Sequence, residues 1–238
     1  MEKLYTIPVN EAFDACLEEG ICDCPFCRLE SRLHRNELEL ILGASMMEPD
    51  VRIKTNASGF CTTHYAMMLR RQKRLPLALM LQSHLDETRK ITEPGAPIDL
   101  LKGPGTACLA GLGKLEQDCY VCNRVSYQMN KMLENAAWLY EADGEFRKKS
   151  AAQPYLCLPH YRAWLKTAKE QLSKKVYTDF TKTVGATVNR YFDALRGDVD
   201  WFVKKFDYRY DAEPWGNAKD SVERAIKFLS GDRYREEE

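Results

Sequence analysis

The chain carries the stretch Cys24-Pro25-Phe26-Cys27, and Cys61-Thr62-Thr63-His64 follows it. The same order of motifs returns later as Cys119-Tyr120-Val121-Cys122 and then Cys157-Leu158-Pro159-His160. Corresponding positions lie 95 or 96 residues apart, since 119 − 24 is 95 and 160 − 64 is 96. Self-similarity at a fixed spacing indicates an internal duplication, so we expect two related halves.

The residue types in these motifs predict zinc sites. Zn²⁺ takes four ligands tetrahedrally, and a Cys-x-x-Cys or Cys-x-x-His turn supplies two of them without strain. We expect each Cys-x-x-Cys to complete a site with the Cys-x-x-His that follows it, which gives two zinc ions per chain, one in each half. The predicted ligands are Cys24, Cys27, Cys61, His64, Cys119, Cys122, Cys157 and His160.

Both sites are predicted to be structural. Three thiolates and one imidazole fill all four positions, and a site without an open position cannot bind water or substrate at the metal. We also expect helices to follow each motif, with their N-termini directed at the sulfurs, and Pro159 to lie in a first helical turn. No catalytic residue and no second cofactor site is predicted.

Other chemistry for these cysteines stays open. Cys-Pro-Phe-Cys alone resembles a redox dithiol, but that chemistry expects a βαβ context, which the sequence lacks. An iron–sulfur cluster is a further alternative. Cys22, Cys16 and Cys108 fall outside the motifs; Cys22 is a candidate for exchange with Cys24, and Cys16 is expected to be a buried thiol beside Phe13 and Leu17.

Two further histidines are interpreted as surface residues and not as metal ligands. His84 lies near Glu87 on one predicted helix, at a spacing that can share a metal, but no second ligand pair is evident. We favour the interpretation that His84 lies on a solvated helix face, and we interpret His34 in the same way.

Composition limits the classes of partner and compartment. The 238 residues include 35 basic and 35 acidic side chains, so no global field draws the chain to nucleic acid or membrane. No secretory signal and no membrane-spanning stretch are visible. We expect a cytoplasmic protein, where thiols stay reduced and hold metal rather than form disulfides.

Helical periodicity dominates the chain, and alternating β-branched runs are scarce, so we predict an all-α fold. Its duplicated zinc-binding modules are followed by a C-terminal helical extension. The expected helices are 10–19, 25–47, 62–73, 76–91, 106–117, 120–142 and 159–195, with a bend at Gly185, and a last helix that starts near Asn217 and ends at Ser230. The predicted domains are a first repeat at 1–91, a proline- and glycine-rich linker at 92–105, a second repeat at 106–196 and an extension at 197–238.

The duplicated motifs and the tail together carry a resemblance. The tail runs from Lys205-Phe206-Asp207-Tyr208-Arg209 to Pro214-Trp215-Gly216. With the two Cys/His sets and the Gly59-Phe60-Cys61 lead-in, the chain resembles an uncharacterised family of bacterial cytoplasmic proteins over nearly its whole length. The resemblance implies a bacterial origin and a shared fold, and it brings no activity with it.

Three functions fit these observations. The favoured one is a non-catalytic scaffold that binds another protein or a small ligand, because the metal sites are saturated. The second is nucleic-acid binding through the basic run Arg70-Arg71-Gln72-Lys73-Arg74. The third is an enzyme that uses reactive thiols or an opened zinc site, with Cys22 as the exchangeable ligand.

Overall fold

The computed structural model describes residues 6–18, 23–93 and 105–234. These residues form 11 α-helices and no strand, so the all-α prediction is confirmed. No helix in these ranges is both long and apolar enough to cross a membrane. The helices are α1 (Thr6–Glu18), α2 (Pro25–Ile41), α3 (Pro49–Ser58), α4 (Thr62–Arg70), α5 (Arg74–Thr92), α6 (Thr106–Gln117), α7 (Tyr120–Ala142), α8 (Gly144–Ala152), α9 (Leu158–Gln171), α10 (Lys174–Lys204) and α11 (Ser221–Ser230).

The helix bounds agree with the sequence pattern at α6 and α7 and differ elsewhere. Helices α3 and α8 were not predicted. Helix α3 has proline at its first turn, and the side chain of Asp143 accepts a hydrogen bond from the Glu145 N–H at the start of α8. The long region predicted at 159–195 is broken at Leu172 and Ser173, and Gly185 lies inside the continuous helix α10.

The last helix also differs from its prediction at one end. Residues 216–218 form a short 3₁₀ turn, and α11 begins only at Ser221, with Asp220 as its N-cap. Its C-terminal end is as predicted, since Gly231 follows Ser230 with a φ of 80° that favours glycine.

The chain divides into two compact units. Unit 1 comprises Met1–Arg32 and Met129–Glu238, and unit 2 comprises Leu33–Gln128. Helices α2 and α7 each contribute one end to each unit. The units therefore do not follow the predicted division at 92–105, and residues 94–104 of that predicted linker lie outside the described part of the chain.

The core of unit 1 is built around Trp164, which is fully buried on α9. Its ring packs edge-on against Phe13, Phe26 and Phe180, at centroid distances of 5.7, 5.2 and 4.8 Å. Such edge-to-face pairs add to the free energy gained from burial alone. Helix α10 packs against α8, α9 and α11, and α1 packs against α8.

In unit 2, α3 packs against α5, and α6 packs against both. A short loop leads from α3 to α4. Gly59 in this loop has a φ of 59°, and a Cβ there would lie 2.8 Å from Nε2 of His84. The carbonyl of Gly59 accepts a hydrogen bond from the N–H of Tyr120, at 3.0 Å. The loop before α4 and the start of α7 are therefore joined directly.

The aromatic tail that follows α10 is organised by one buried lysine. Nζ of Lys205 donates to the carbonyls of Tyr210, Asp211 and Glu213, at 2.6, 3.0 and 2.8 Å. The same ammonium lies 5.3 Å from the centre of the Trp215 ring. The tail segment is therefore wrapped around the Lys205 side chain.

Candidate metal centres

The structure brings the eight predicted side chains together as two clusters of four. Cluster 1 consists of Cys24, Cys27, Cys157 and His160 and lies in unit 1. Cluster 2 consists of Cys61, His64, Cys119 and Cys122 and lies in unit 2. Within each cluster the candidate ligand atoms all lie within 4.8 Å of one another.

The predicted grouping of these pairs was wrong. Each Cys-x-x-Cys meets the Cys-x-x-His of the other sequence repeat, and not the one that follows it. Each cluster therefore contains two residues from the first sequence repeat and two from the second. The physical reason is that packing of the helices, and not proximity along the chain, decides which motifs meet.

Each motif lies at the N-terminus of a helix, as predicted. Cys61 and Cys157 are the N-cap residues of α4 and α9, and Cys24 and Cys119 directly precede α2 and α7. The second residue of each pair follows in the first turn. Two helix N-termini therefore meet at each cluster, where their free N–H groups and dipoles stabilise negative charge on sulfur.

The distances within cluster 1 are close to those of ligands around a single ion. Nδ1 of His160 lies 3.9 Å from Sγ of Cys24, 3.4 Å from Sγ of Cys27 and 3.1 Å from Sγ of Cys157. Sγ of Cys27 and Sγ of Cys157 are 3.6 Å apart. Zn–S bonds of about 2.3 Å and Zn–N bonds of about 2.0 Å at tetrahedral angles place ligand atoms about 3.5 to 3.8 Å apart.

Cluster 2 has the same dimensions. Nδ1 of His64 lies 3.1 Å from Sγ of Cys61, 3.3 Å from Sγ of Cys119 and 3.5 Å from Sγ of Cys122. Sγ of Cys61 and Sγ of Cys122 are 3.9 Å apart. Both clusters could therefore hold a metal ion through four protein ligands.

An aspartate orients the first cysteine of each Cys-x-x-Cys. Oδ1 of Asp23 accepts the N–H of Cys24, and Oδ1 of Asp118 accepts the N–H of Cys119, both at 2.9 Å. This pair of aspartates was not predicted from the sequence. The signal was present, because an Asp-Cys step recurs at the same spacing as the motifs.

The histidine of each cluster has a different partner for its second nitrogen. Nε2 of His160 lies 3.2 Å from Oε2 of Glu30, an arrangement that fixes the ring orientation of a metal-binding histidine. Nε2 of His64 lies 2.9 Å from Nδ1 of His34. His34 is only 3% exposed, so its prediction as part of a solvated face was wrong.

The C-terminal segment of the described chain lies over cluster 1. The N–H of Asp232 donates to Sγ of Cys27 at 3.2 Å. The hydroxyl of Ser31 lies 3.2 Å from the carbonyl oxygens of both Asp232 and Arg233, which holds the segment in place. A Cβ on Gly231 would lie 3.7 Å from Sγ of Cys157, so the backbone passes close to the sulfurs.

The two clusters differ in burial. All four residues of cluster 1 are buried, whereas Cys61 and Cys122 of cluster 2 are partly exposed. In cluster 2, His64 and Cys119 are buried. The partly exposed residues of cluster 2 are therefore Cys61 and Cys122, whose sulfur atoms lie 3.9 Å apart.

The pKa values of these groups show that closely packed thiols compete to stay protonated when no metal ion is bound. Burial raises the pKa of Cys24. Burial alone would lower the pKa of His160, but its hydrogen bonds to the cysteines raise that pKa well above the ordinary value. Hydrogen bonding to Cys122 lowers the pKa of Cys119 to about 3, and the same contact raises the pKa of Cys122. A divalent cation reverses this competition, because it stabilises every thiolate at once.

The remaining predicted residues lie apart from the clusters. Cys16 is buried as expected, although its neighbour Leu17 is exposed, and Cys108 is partly exposed. Cys22 lies outside the described residues. Nδ1 of His84 lies 2.8 Å from the carbonyl oxygen of Asn56 and forms no metal group with Glu87 in the described chain.

The basic run at 70–74 spans the end of α4 and the start of α5. Arg71 in this run lies 3.6 Å from Glu39, so one of its charges is partly compensated.

Residues 1–236 match the model of a family of unknown function, DUF6062. No curated protein and no solved structure matches the chain.

Proposed function

Because the chain belongs to this family of unknown function, we propose a function from the chemistry of its clusters: it is a zinc-binding helical scaffold with two structural Cys3His sites. The observation that carries the proposal is the pair of four-donor clusters, because their candidate ligand atoms lie at separations close to those expected around a tetrahedral ion. Each ion would tie together two helix N-termini within its unit, α2 with α9 in unit 1 and α4 with α7 in unit 2.

Zinc suits these donors better than the alternatives. Thiolate and imidazole in tetrahedral array are typical of zinc, whereas magnesium and calcium prefer oxygen ligands. In an iron–sulfur centre, iron and sulfide atoms lie between the cysteine ligands and hold them far apart. The candidate ligand atoms of cluster 1, and those of cluster 2, all lie within 4.8 Å of one another. A thioredoxin-like redox dithiol is typical of a βαβ unit, and the described residues form no strand.

A non-catalytic role is supported by the use of the histidines. The chain has four. His64 and His160 belong to the clusters, and His34 and His84 have ring nitrogens within hydrogen-bond distance of His64 and of the Asn56 carbonyl. The proposed role is to present helical surfaces to another protein or a small ligand. Zinc binding by these clusters needs reduced thiols, and this need supports a cytoplasmic location.

Metal analysis of the purified full chain tests the proposal. We expect two zinc ions per chain and a marked fall in unfolding temperature after removal by a chelator, because binding free energy is part of folding free energy in such sites. A metal-free chain with unchanged stability would contradict the proposal, as would a stoichiometric content of another metal.

Cobalt substitution separates a structural site from a catalytic one. Co²⁺ in a site closed by four protein ligands should keep its absorption spectrum when small anions such as azide are added, because no position is open. A spectral change on addition would indicate an exchangeable position and would favour the enzyme alternative. The Cys108→Ser variant, which changes a partly exposed thiol outside the clusters, serves as the matched control.

A further inference from the structure

We propose that Cys61 and Cys122 of cluster 2 form a modification site for hydrogen peroxide and related peroxides, while cluster 1 stays inert. This inference rests on the proposed zinc function and extends it, since it gives the two clusters different roles. Cluster 2 would release its zinc on oxidation, and cluster 1 would keep its own.

Access singles out this pair of sulfurs, since Cys27 and Cys157 of cluster 1 have their sulfurs 3.6 Å apart but are buried. Cys61 and Cys122 are the partly exposed members of the two clusters, and every other cluster residue is buried. Their sulfur atoms lie 3.9 Å apart. Only a small displacement is needed to bring them to bonding distance, which is about 2.0 Å in a disulfide.

Cluster 1 has the same sulfur chemistry but is covered. Cys24 and Cys157 have no exposed surface, and Cys27 is 2% exposed. The N–H of Asp232 donates to Sγ of Cys27, which reduces the electron density available for attack on an oxidant. Residues 231–233 thus cover cluster 1.

The oxidation balances with peroxide as the only oxidant. A thiolate sulfur, of Cys61 or Cys122, attacks one peroxide oxygen, the O–O bond breaks, and the sulfur becomes a sulfenic acid while the other oxygen leaves as water after taking a proton. The second thiolate attacks the sulfenic sulfur and expels hydroxide, which takes a proton to become water. Two sulfurs have lost two electrons, and one peroxide has become two water molecules.

The disulfide removes two of the four ligands from cluster 2. Zinc would be left with His64 and Cys119, a set too small for a stable structural site. The metal leaves, and a dithiol reductant restores both thiols by exchange. The disulfide would still link the starts of α4 and α7, so the modification is reversible in principle without separating them.

The test is peroxide titration of the zinc-loaded full chain. Zinc release is followed with a metallochromic indicator, and thiols are mapped by alkylation before and after reduction. We expect release of one of the two zinc ions, a disulfide between Cys61 and Cys122, and full recovery with reductant and zinc. Equal loss of both ions, or earlier oxidation of Cys24, Cys27 or Cys157, would overturn the proposal.

Two variants sharpen the result. Cys108→Ser should leave zinc release unchanged, and a slower release in this variant would show that another thiol takes the oxidant first. A chain ending at Ser230 lacks the segment over cluster 1 and should release both ions; continued resistance of cluster 1 would contradict the protective role of residues 231–233. A chain that carries no zinc before oxidation refutes the proposed function itself, whereas two bound ions without selective release refute only this inference.

Discussion

Removal of cysteines two at a time tests which motifs share a metal ion. In the structure Cys24 and Cys157 belong to one cluster, whereas Cys24 and Cys61 belong to different clusters. Grouping by order along the chain gives the opposite assignment, because it makes Cys24 and Cys61 ligands of one site. The variants Cys24→Ala with Cys157→Ala, and Cys24→Ala with Cys61→Ala, therefore separate the two arrangements.

The expected magnitudes follow from the number of ligands in each cluster. A structural zinc site contributes about 10 to 16 kcal/mol of binding free energy at neutral pH, so each of its four ligands accounts for roughly 3 kcal/mol. Loss of one ligand should weaken zinc binding about a hundredfold, and loss of two in one site about ten-thousandfold. Cys24→Ala with Cys157→Ala should keep one site at full affinity, whereas Cys24→Ala with Cys61→Ala should leave two weakened sites.

Competition against chelators of graded affinity measures these differences, with total zinc determined for each protein. The single variants provide the reference values, and Cys16→Ala controls for loss of a buried thiol outside the clusters. One site of full affinity in Cys24→Ala with Cys61→Ala, together with loss of the second zinc, would contradict the grouping seen in the structure. That result would mean that the motifs pair in their order along the chain.

Three further predictions concern the surroundings of the clusters. Glu30→Gln should weaken only cluster 1 and His34→Phe only cluster 2, each by about 10-fold to 100-fold in zinc affinity, because the first removes the charge of the partner of His160 and the second removes the ring nitrogen beside His64; equal effects on both clusters would contradict this. Lys205→Met removes three hydrogen bonds and should lower the free energy of unfolding by about 2 to 4 kcal/mol in urea denaturation, with Lys204→Met as the exposed control. Zinc affinity of cluster 1 should rise with pH, because burial raises the pKa of Cys24 and zinc must displace that proton; an affinity independent of pH in chelator competition would refute the assignment.

Sequence reasoning recovered the fold class because helical periodicity is a local property. Helices α6 and α7 agree with their predicted bounds. Helices α3 and α8 were missed although α4 and α11 are equally short, because α3 and α8 depend on their N-terminal turns and on packing. The break between α9 and α10 was also missed, because it contains neither glycine nor proline.

The surroundings of the clusters were beyond the reach of sequence patterns. A histidine among charged residues usually indicates a solvated face, yet His34 is buried beside His64. Glu30 is one of many acidic residues on helices, and only the fold brings it to His160. The cover over cluster 1 comes from residues some 200 positions away, since Asp232 contacts Cys27 with a separation of 205.

The amino-acid sequence by itself determined which eight residues are the candidate ligands. It also determined that the two residues of each Cys-x-x-Cys or Cys-x-x-His motif act together, because local backbone geometry fixes that spacing. Only the tertiary structure decided which pairs meet. Loop closure favours neighbouring motifs, but closing the loop of 130 residues between Cys27 and Cys157 instead of a short one costs only about 1 kcal/mol more, since the entropy grows with the logarithm of loop length. Burial of a single aromatic side chain such as Trp164 outweighs that difference, so the packing of the helices sets the clusters and the order of motifs does not.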